Sequence, residues 1–244
     1  MWSILKPKQS RPALPAGYRV YAVGDVHGRA DLLEGVFARI DADQKAHPAR
    51  QPVEVYLGDY IDRGPDSRTV IDLLIARSRR RDIVLLKGNH ETYLLEFVRD
   101  PEVLRGWRQF GGLETLMSYG LRPSLNPGNQ ELAALSAALR QAIPRAHFEF
   151  YGGLLPYFSL GDFYFVHAGT NPRVPLAHQD ERDLLWIREE FLVHEGYFEK
   201  MIVHGHTPVH DPDFRPNRIN IDTGAYATGR LTCLMIEHDR LTVL

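Results

Sequence analysis

Apolar residues in this chain come in short runs, and most runs stop at a cluster of glycine and polar residues. Residues 19–23 read as a strand, and Leu32, Leu33, Val36, Phe37 and Ile40 follow at spacings that put them on one helix face. Residues 53–57 form a second apolar run. Beyond Pro65, Asp66 or Ser67 is placed to cap a helix carrying Val70, Ile71, Leu73, Leu74 and Ile75, and residues 83–86 return as a strand. Alternating strands and helices predict an α/β fold with a parallel or mixed sheet covered by helices. From about residue 91 to 160 the pattern is mostly helical, broken at Gly111-Gly112 and around 123–129, and reads as a helical cap insert. Residues 163–166, 201–203, 219–221 and 231–236 then read as a second set of strands.

Chemistry-bearing residues gather where these runs end. Gly24-Asp25-Val26-His27-Gly28 follows the first strand, Gly58-Asp59-Tyr60-Ile61-Asp62-Arg63-Gly64 the second, and Gly88-Asn89-His90-Glu91 the third. Val166-His167-Ala168-Gly169 and Gly205-His206-Thr207 end two later runs. In open α/β sheets sites lie beyond the carboxyl ends of the strands, where the three leading motifs fall. Their Asp, Asn and His side chains are hard oxygen and imidazole donors without a thiolate. That set suits manganese, iron or zinc at an open site better than a closed structural zinc.

Roles follow from residue type and position. Asp25 and His27 alternate in a short turn and can face one ion, while the two oxygens of Asp59 make it the natural bridge to a second. Asn89, His167 and His206 can complete that second site. Two cations roughly 4 Å apart would acidify a bridging water and clamp an in-line phosphoryl displacement, so metal-dependent phosphoester hydrolysis is expected. His90 is a candidate general acid, oriented by Asp62. Arg63 and Arg188, with Asn89, are candidates to bind the substrate phosphate. His47, His147, His178, His194, His210 and His238 read as structural or surface residues, Asp222 as a residue of a turn or one supporting the ligands, and His204, two residues before His206 at a strand end, is left without an assigned role.

Composition narrows the class further. Lysine plus arginine number 29 against 31 acidic residues, which leaves no electrostatic footprint for nucleic acid. The dense basic run Arg77, Arg79, Arg80 and Arg81 reads as a solvated helix end. Cys233 is the single cysteine, so no intrachain disulfide is possible, no oxidising compartment is indicated and a cytoplasmic location is expected. Residues 1–17 are expected to be a flexible tail without the apolar stretch of a signal peptide or membrane span. Trp2, Ile4 and Leu5 beside Lys6 and Lys8 offer only weak membrane contact. One catalytic domain over 18–244 is expected.

The motifs together resemble the calcineurin-like metallophosphoesterases, in particular the compact bacterial and phage members of the phosphoprotein phosphatase family. The first two motifs are separated by residues 29–57 and the next two by residues 65–87, and every expected side chain of the three-part signature is present. The resemblance reaches His167 and His206, and is weakest over 91–160. It implies a layered α/β/β/α sandwich of two mixed sheets flanked by helices, with a dinuclear centre at one edge. It also implies Asp25 and His27 on one ion, Asp59 between the ions, and Asn89, His167 and His206 on the other. Asp62 with His90 would be the catalytic dyad and Arg63 a phosphate binder. Leu184-Leu185-Trp186-Ile187-Arg188 is similar to the stretch in bacterial members whose arginine reaches the phosphate.

On this basis a manganese-dependent serine/threonine protein phosphatase is the leading expectation, with a phosphorylated protein or small phosphoester as substrate. Symmetrical hydrolysis of diadenosine tetraphosphate is the alternative. Tyr93, Trp107, Arg108 and Tyr119 in the helical stretch could stack a base or pack a peptide, though core packing is expected for the aromatics. A non-catalytic scaffold would be expected to have lost ligands or the acid, and none is missing.

Overall fold

The computed structural model describes residues 11–244. Strands β1 (Tyr18–Val23), β2 (Gln51–Tyr56) and β3 (Ile83–Leu85) are parallel neighbours joined through α1 (Ala30–Ala46) and α2 (Ser67–Ser78). A helical stretch follows: α3 (Asn89–Phe97), α4 (Leu104–Trp107), α5 (Gly112–Ser118), α6 (Asn129–Ala142) and α7 (Arg145–Gly152). The second half holds β4 (Tyr157–Leu160), β5 (Phe163–Val166), α8 (Glu181–Trp186), α9 (Glu189–Leu192), β6 (Met201–His204), β7 (Asp213–Phe214) and β8 (Arg218–Asn220). Helix α10 (Ala225–Thr228) and strands β9 (Cys233–Glu237) and β10 (Arg240–Val243) complete it. The strands form two mixed sheets, in the orders β10-β9-β1-β2-β3 and β4-β5-β6-β8-β7.

The two-residue period of a strand sorts its side chains between layers. In β1, Val20 and Ala22 face the other sheet and pack with Phe165, Val203 and Ile219, whereas Tyr21 and Val23 face Leu33, Val36 and Ile71 of α1 and α2. The outer face of the second sheet, through Tyr164, Val166 and Ile202, packs on Leu184, Ile187 and Phe191. The architecture is therefore α/β/β/α. Each fully buried large side chain between the layers contributes about 1.5–3 kcal/mol. Among the described residues no helix is long and apolar enough to cross a membrane.

Several sequence expectations are revised. Residues 157–160, expected inside the helical insert, form β4, which pairs antiparallel with β5 around the left-handed Gly161. The helices of this stretch share the main core: Leu94, Phe97, Leu104, Trp107, Leu116 and Leu139 belong to the same cluster as Tyr21 and Leu33, and α5 and α7 pack on α2. Arg77 is not a solvated helix end. It pairs with Glu54 at 2.6 Å and Asp41 at 2.8 Å and stacks on Phe37, because Glu54 is a buried carboxylate that demands a cation. Of the expected tail, residues 1–10, including Trp2, Ile4, Leu5, Lys6 and Lys8, lie outside the described residues. The rest of it is anchored, with Leu14 buried between the sheets, its N–H bonded to the His238 carbonyl, and the Ala13 N–H donating to Asp162.

Candidate metal centre

All five motifs meet at the carboxyl ends of the parallel strands. β1 delivers Asp25 and His27, β2 delivers Asp59, the loop after β3 delivers Asn89 and His90, β5 delivers His167, and β6 delivers His206. Bringing them together requires unusual backbone. His27, Asp59, Asp62, Arg63 and His206 all have φ between 46° and 73°, a left-handed conformation that costs a non-glycine residue on the order of 1–2 kcal/mol. Two glycines permit close approach: a β-carbon on Gly88 would fall on an Asp59 oxygen, and one on Gly205 would fall on an Asp25 oxygen.

Asp59 is at the centre of the cluster. His27 Nε2 lies 3.6 Å and His90 Nε2 3.7 Å from its Oδ2, and His167 Nε2 lies 3.3 Å from its Oδ1. It is thus shared by two buried donor groups, His27–Asp59–His90 and Asp59–His167–His206, each with ligand atoms within 4.8 Å of one another. Asn89 joins the second group, its Oδ1 being 2.9 Å from His167 Nε2. His27 and His167 each direct Nδ1 at a backbone carbonyl, of Ile61 and Leu57, both at 2.9 Å, which turns Nε2 inward. Asp25 stands outside both groups, accepting the His206 N–H at 3.0 Å.

The electrostatics are those of a site that fits cations. Burial, with Asp222 and Asp59 nearby, pushes Asp25 well above the usual carboxylate range. Burial pushes Asp59 in the same direction, but the surrounding histidines, among them the protonated His90, outweigh it and hold Asp59 below its ordinary value. Burial lowers His167, and takes His27 to about 3 and His206 to about 2, so these rings are neutral and their nitrogens are free to ligate. Two buried ligand atoms, Asp25 Oδ1 and His206 Nε2, have no hydrogen-bond partner among the described residues. An oxygen and nitrogen donor set with orphaned inward-facing atoms matches divalent cations.

His90 is held differently. Its Nδ1 is 2.6 Å from Asp62 Oδ2, and despite burial the charges of Asp59 and Asp62 raise it to about 9. Asp62 is itself fully buried and accepts hydrogen bonds from Trp107 Nε1 at 2.6 Å and Thr115 Oγ1 at 2.5 Å. Its N–H is received by Ser67 Oγ, so Ser67 serves the motif rather than capping α2, where Asp66 occupies the N-cap position without a side-chain bond. Arg63 donates to Tyr226 at 2.6 Å and lies over its ring. Arg188 is exposed at the start of α9, and its charge is felt by His167 and His206.

Other site residues were not assigned a role from sequence. Glu91, fully buried, accepts the backbone N–H groups of Asp59, Tyr60 and Gly88, binding the second motif loop to the third; burial and Asp59 push it up to about 8. Its position next to His90 was the available signal. Tyr226, whose ring meets His27 edge-on at 5.4 Å, carried none. Trp107 and Tyr119 are buried as expected, Tyr119 bonding His147, while Arg108 holds Leu125 and Asn126 away from the centre. His204 packs on Phe191 and belongs to neither donor group, and Asp222 accepts the Gly224 N–H in a turn.

Comparison with known proteins agrees with this geometry. The calcineurin-like phosphoesterase family model matches residues 18–233. The asymmetrical bis(5'-nucleosyl)-tetraphosphatase PrpE of Oceanobacillus iheyensis is 27% identical over 236 residues, spanning 88% of this chain and 87% of that one. The protein of the same name from Anoxybacillus flavithermus is 26% identical over 231 residues, spanning 87% and 88%. A crystal structure provisionally assigned as a diadenosine tetraphosphatase superposes with a TM-score of 0.65 over 96% of this chain and 98% of its own, at 19% identity, which speaks to fold alone. With two mixed sheets, a His/Asp cluster at their strand ends and a family match over most of its length, this chain belongs to the calcineurin-like phosphoesterases and is a metal-binding phosphoester hydrolase.

Proposed function

We propose that the chain hydrolyses dinucleoside polyphosphates such as diadenosine tetraphosphate, and that it cleaves them asymmetrically. The observation that carries this reading is the similarity, across most of both chains, to the PrpE proteins, whose name specifies that activity. It replaces serine/threonine protein dephosphorylation as the leading reading, and differs from the symmetrical cleavage expected as the alternative. Motifs shared by both kinds of phosphoesterase do not separate them, because the metal centre handles the phosphoryl group and not what it is attached to.

In this proposal Asp25, His27 and Asp59 would hold one divalent cation, and Asp59, Asn89, His167 and His206 would hold the other, with manganese as the ion. Bound there, the ions would supply electrophilic charge to the phosphoryl oxygens and lower the pKa of a water. His90 delivers a proton to the leaving oxygen from Nε2, since Nδ1 is committed to Asp62 at 2.6 Å. Arg63, Arg188 and Asn89 bind and orient the phosphate oxygens, the guanidinium groups by paired hydrogen bonds. Tyr226 braces Arg63.

The test is hydrolysis by the purified chain with added manganese, comparing diadenosine tetraphosphate with phosphoserine and phosphothreonine peptides and separating the nucleotide products. ATP plus AMP is expected, at higher kcat/KM than for the peptides. ADP as the sole product would restore symmetrical cleavage, and a preference for the peptides would restore the protein phosphatase.

A further inference from the structure

Three aromatic side chains outside the ligand set converge on the rim of the metal centre. Tyr93 comes from α3, Phe110 from the turn before α5, and Trp186 from the last position of α8. Phe110 stacks on Tyr93, with ring centroids 5.6 Å apart and planes 18° from parallel, and Trp186 meets Tyr93 edge-on at 5.6 Å. The group spans the centre. Phe110 and Tyr93 lie 6.3 Å and 6.5 Å from the His90 ring, and Trp186 lies 6.3 Å from the His206 ring.

Exposure is what makes the arrangement informative. Phe110 is 39% and Trp186 36% exposed, although both sit beside apolar layers that bury other rings completely. Large aromatic side chains held together and left wet at the edge of a catalytic centre mark a binding surface. Arg188 stands two residues beyond Trp186, an exposed cation whose guanidinium makes no hydrogen bond among the described residues. Flat apolar rings with a free cation beside them match a ligand that has a π-face at one end and phosphate charge at the other.

We propose that Tyr93, Phe110 and Trp186 form a stacking wall for a nucleobase of the substrate, an assignment that rests on the dinucleoside polyphosphate reading above. The base lies against the wall while the polyphosphate runs past Arg188 toward Arg63 and the ligand cluster. Stacking accepts any base, because each has a π-face, so the wall selects nucleotides over base-free phosphoesters rather than adenine over other bases. A phosphoserine side chain brings no ring to fill it.

The experiment measures kcat/KM with manganese on diadenosine tetraphosphate and on inorganic tetraphosphate, for the wild type, Phe110→Ala, Trp186→Ala and the conservative Phe110→Tyr. Loss of one stacking partner is expected to lower the nucleotide-to-tetraphosphate ratio about tenfold or more in each alanine variant, mainly through KM. Phe110→Tyr is expected to restore the ratio to within about twofold. If the wild type hydrolyses the dinucleotide and neither alanine variant shifts the ratio, the wall is wrong and the substrate reading stands. Equal losses on both substrates also overturn it, by reducing the rings to structural support. Hydrolysis of tetraphosphate but not of dinucleotide by the wild type overturns the substrate reading and the wall with it.

Discussion

The indole of Trp107 donates its N–H to the same Asp62 oxygen that holds the His90 imidazole, both at 2.6 Å. A residue 17 positions away from His90 in sequence, and fully buried in the helical layer, thereby restrains the carboxylate that orients the proposed acid. Trp107→Phe keeps a ring in the core and removes the donor. Turnover is expected to fall about tenfold, with metal content unchanged when measured by elemental analysis. A change in metal content instead would place Trp107 in support of the ligands.

His90 has two possible duties, because its Nε2 lies 3.7 Å from Asp59 inside one donor group while its Nδ1 is bound to Asp62. His90→Asn separates them. As the general acid its loss is expected to lower kcat by about 10²–10⁴-fold while two metal equivalents remain. One lost equivalent in the same elemental analysis would make His90 a ligand.

Asp59 belongs to both donor groups, so its removal acts on the whole centre rather than on half of it. Asp59→Ala is expected to abolish manganese-dependent turnover and to lower both metal equivalents. Calorimetric titration of manganese into the metal-free variant checks this, and retention of one tight site would assign Asp59 to a single ion.

Arg188 is exposed at the start of a short helix, so altering it disturbs no core contact. Arg188→Lys keeps the charge but loses the planar pair of donors. KM for the phosphoester is expected to rise about three- to tenfold with an unchanged melting temperature. Equal kinetics for variant and wild type would remove Arg188 from the phosphate site.

Far from the centre, Asp41 is held below its ordinary value of 3.8 by its hydrogen bond to Arg77. A carboxyl whose folded pKa is depressed contributes stability above its unfolded pKa and loses it as pH falls through the folded value. Asp41→Asn is therefore expected to melt a few degrees lower than wild type near pH 7, a small effect because Asp41 is partly exposed. The gap should begin to narrow as pH falls below about 4 and close beneath the folded value of Asp41. Melting curves across pH check the sign, and a gap that widens in acid would contradict the pairing.

Much of the site was legible in the chain because its ligands occupy turns directly after strands. Asp25 and His27, Asp59, and Asn89 and His90 follow three consecutive parallel strands, so the order of the motifs already places them at one sheet edge. Short elements were not legible. β7 has two residues, too few to alternate, and β10 alternates polar and apolar residues over only four positions, with Leu241 and Val243 both exposed at the sheet edge. β4 was concealed by the helical sequence that precedes it, since its pairing with β5 is decided across a turn and not within the run. Arg77 read as solvated because its partner Glu54 lies on another element.

The sequence by itself determined the alternating strand and helix framework, the donor types and the class of reaction, because these depend on local periodicity and on side-chain chemistry. Tertiary structure decided which residues support that chemistry. It brought Trp107 and Thr115 to Asp62, Glu91 across two loops, Tyr226 to Arg63, and Tyr93, Phe110 and Trp186 to one rim. It also set five non-glycine residues of the site in left-handed backbone. Such contacts join residues on different elements, and their geometry is imposed by how the layers pack, so no local pattern along the chain encodes them.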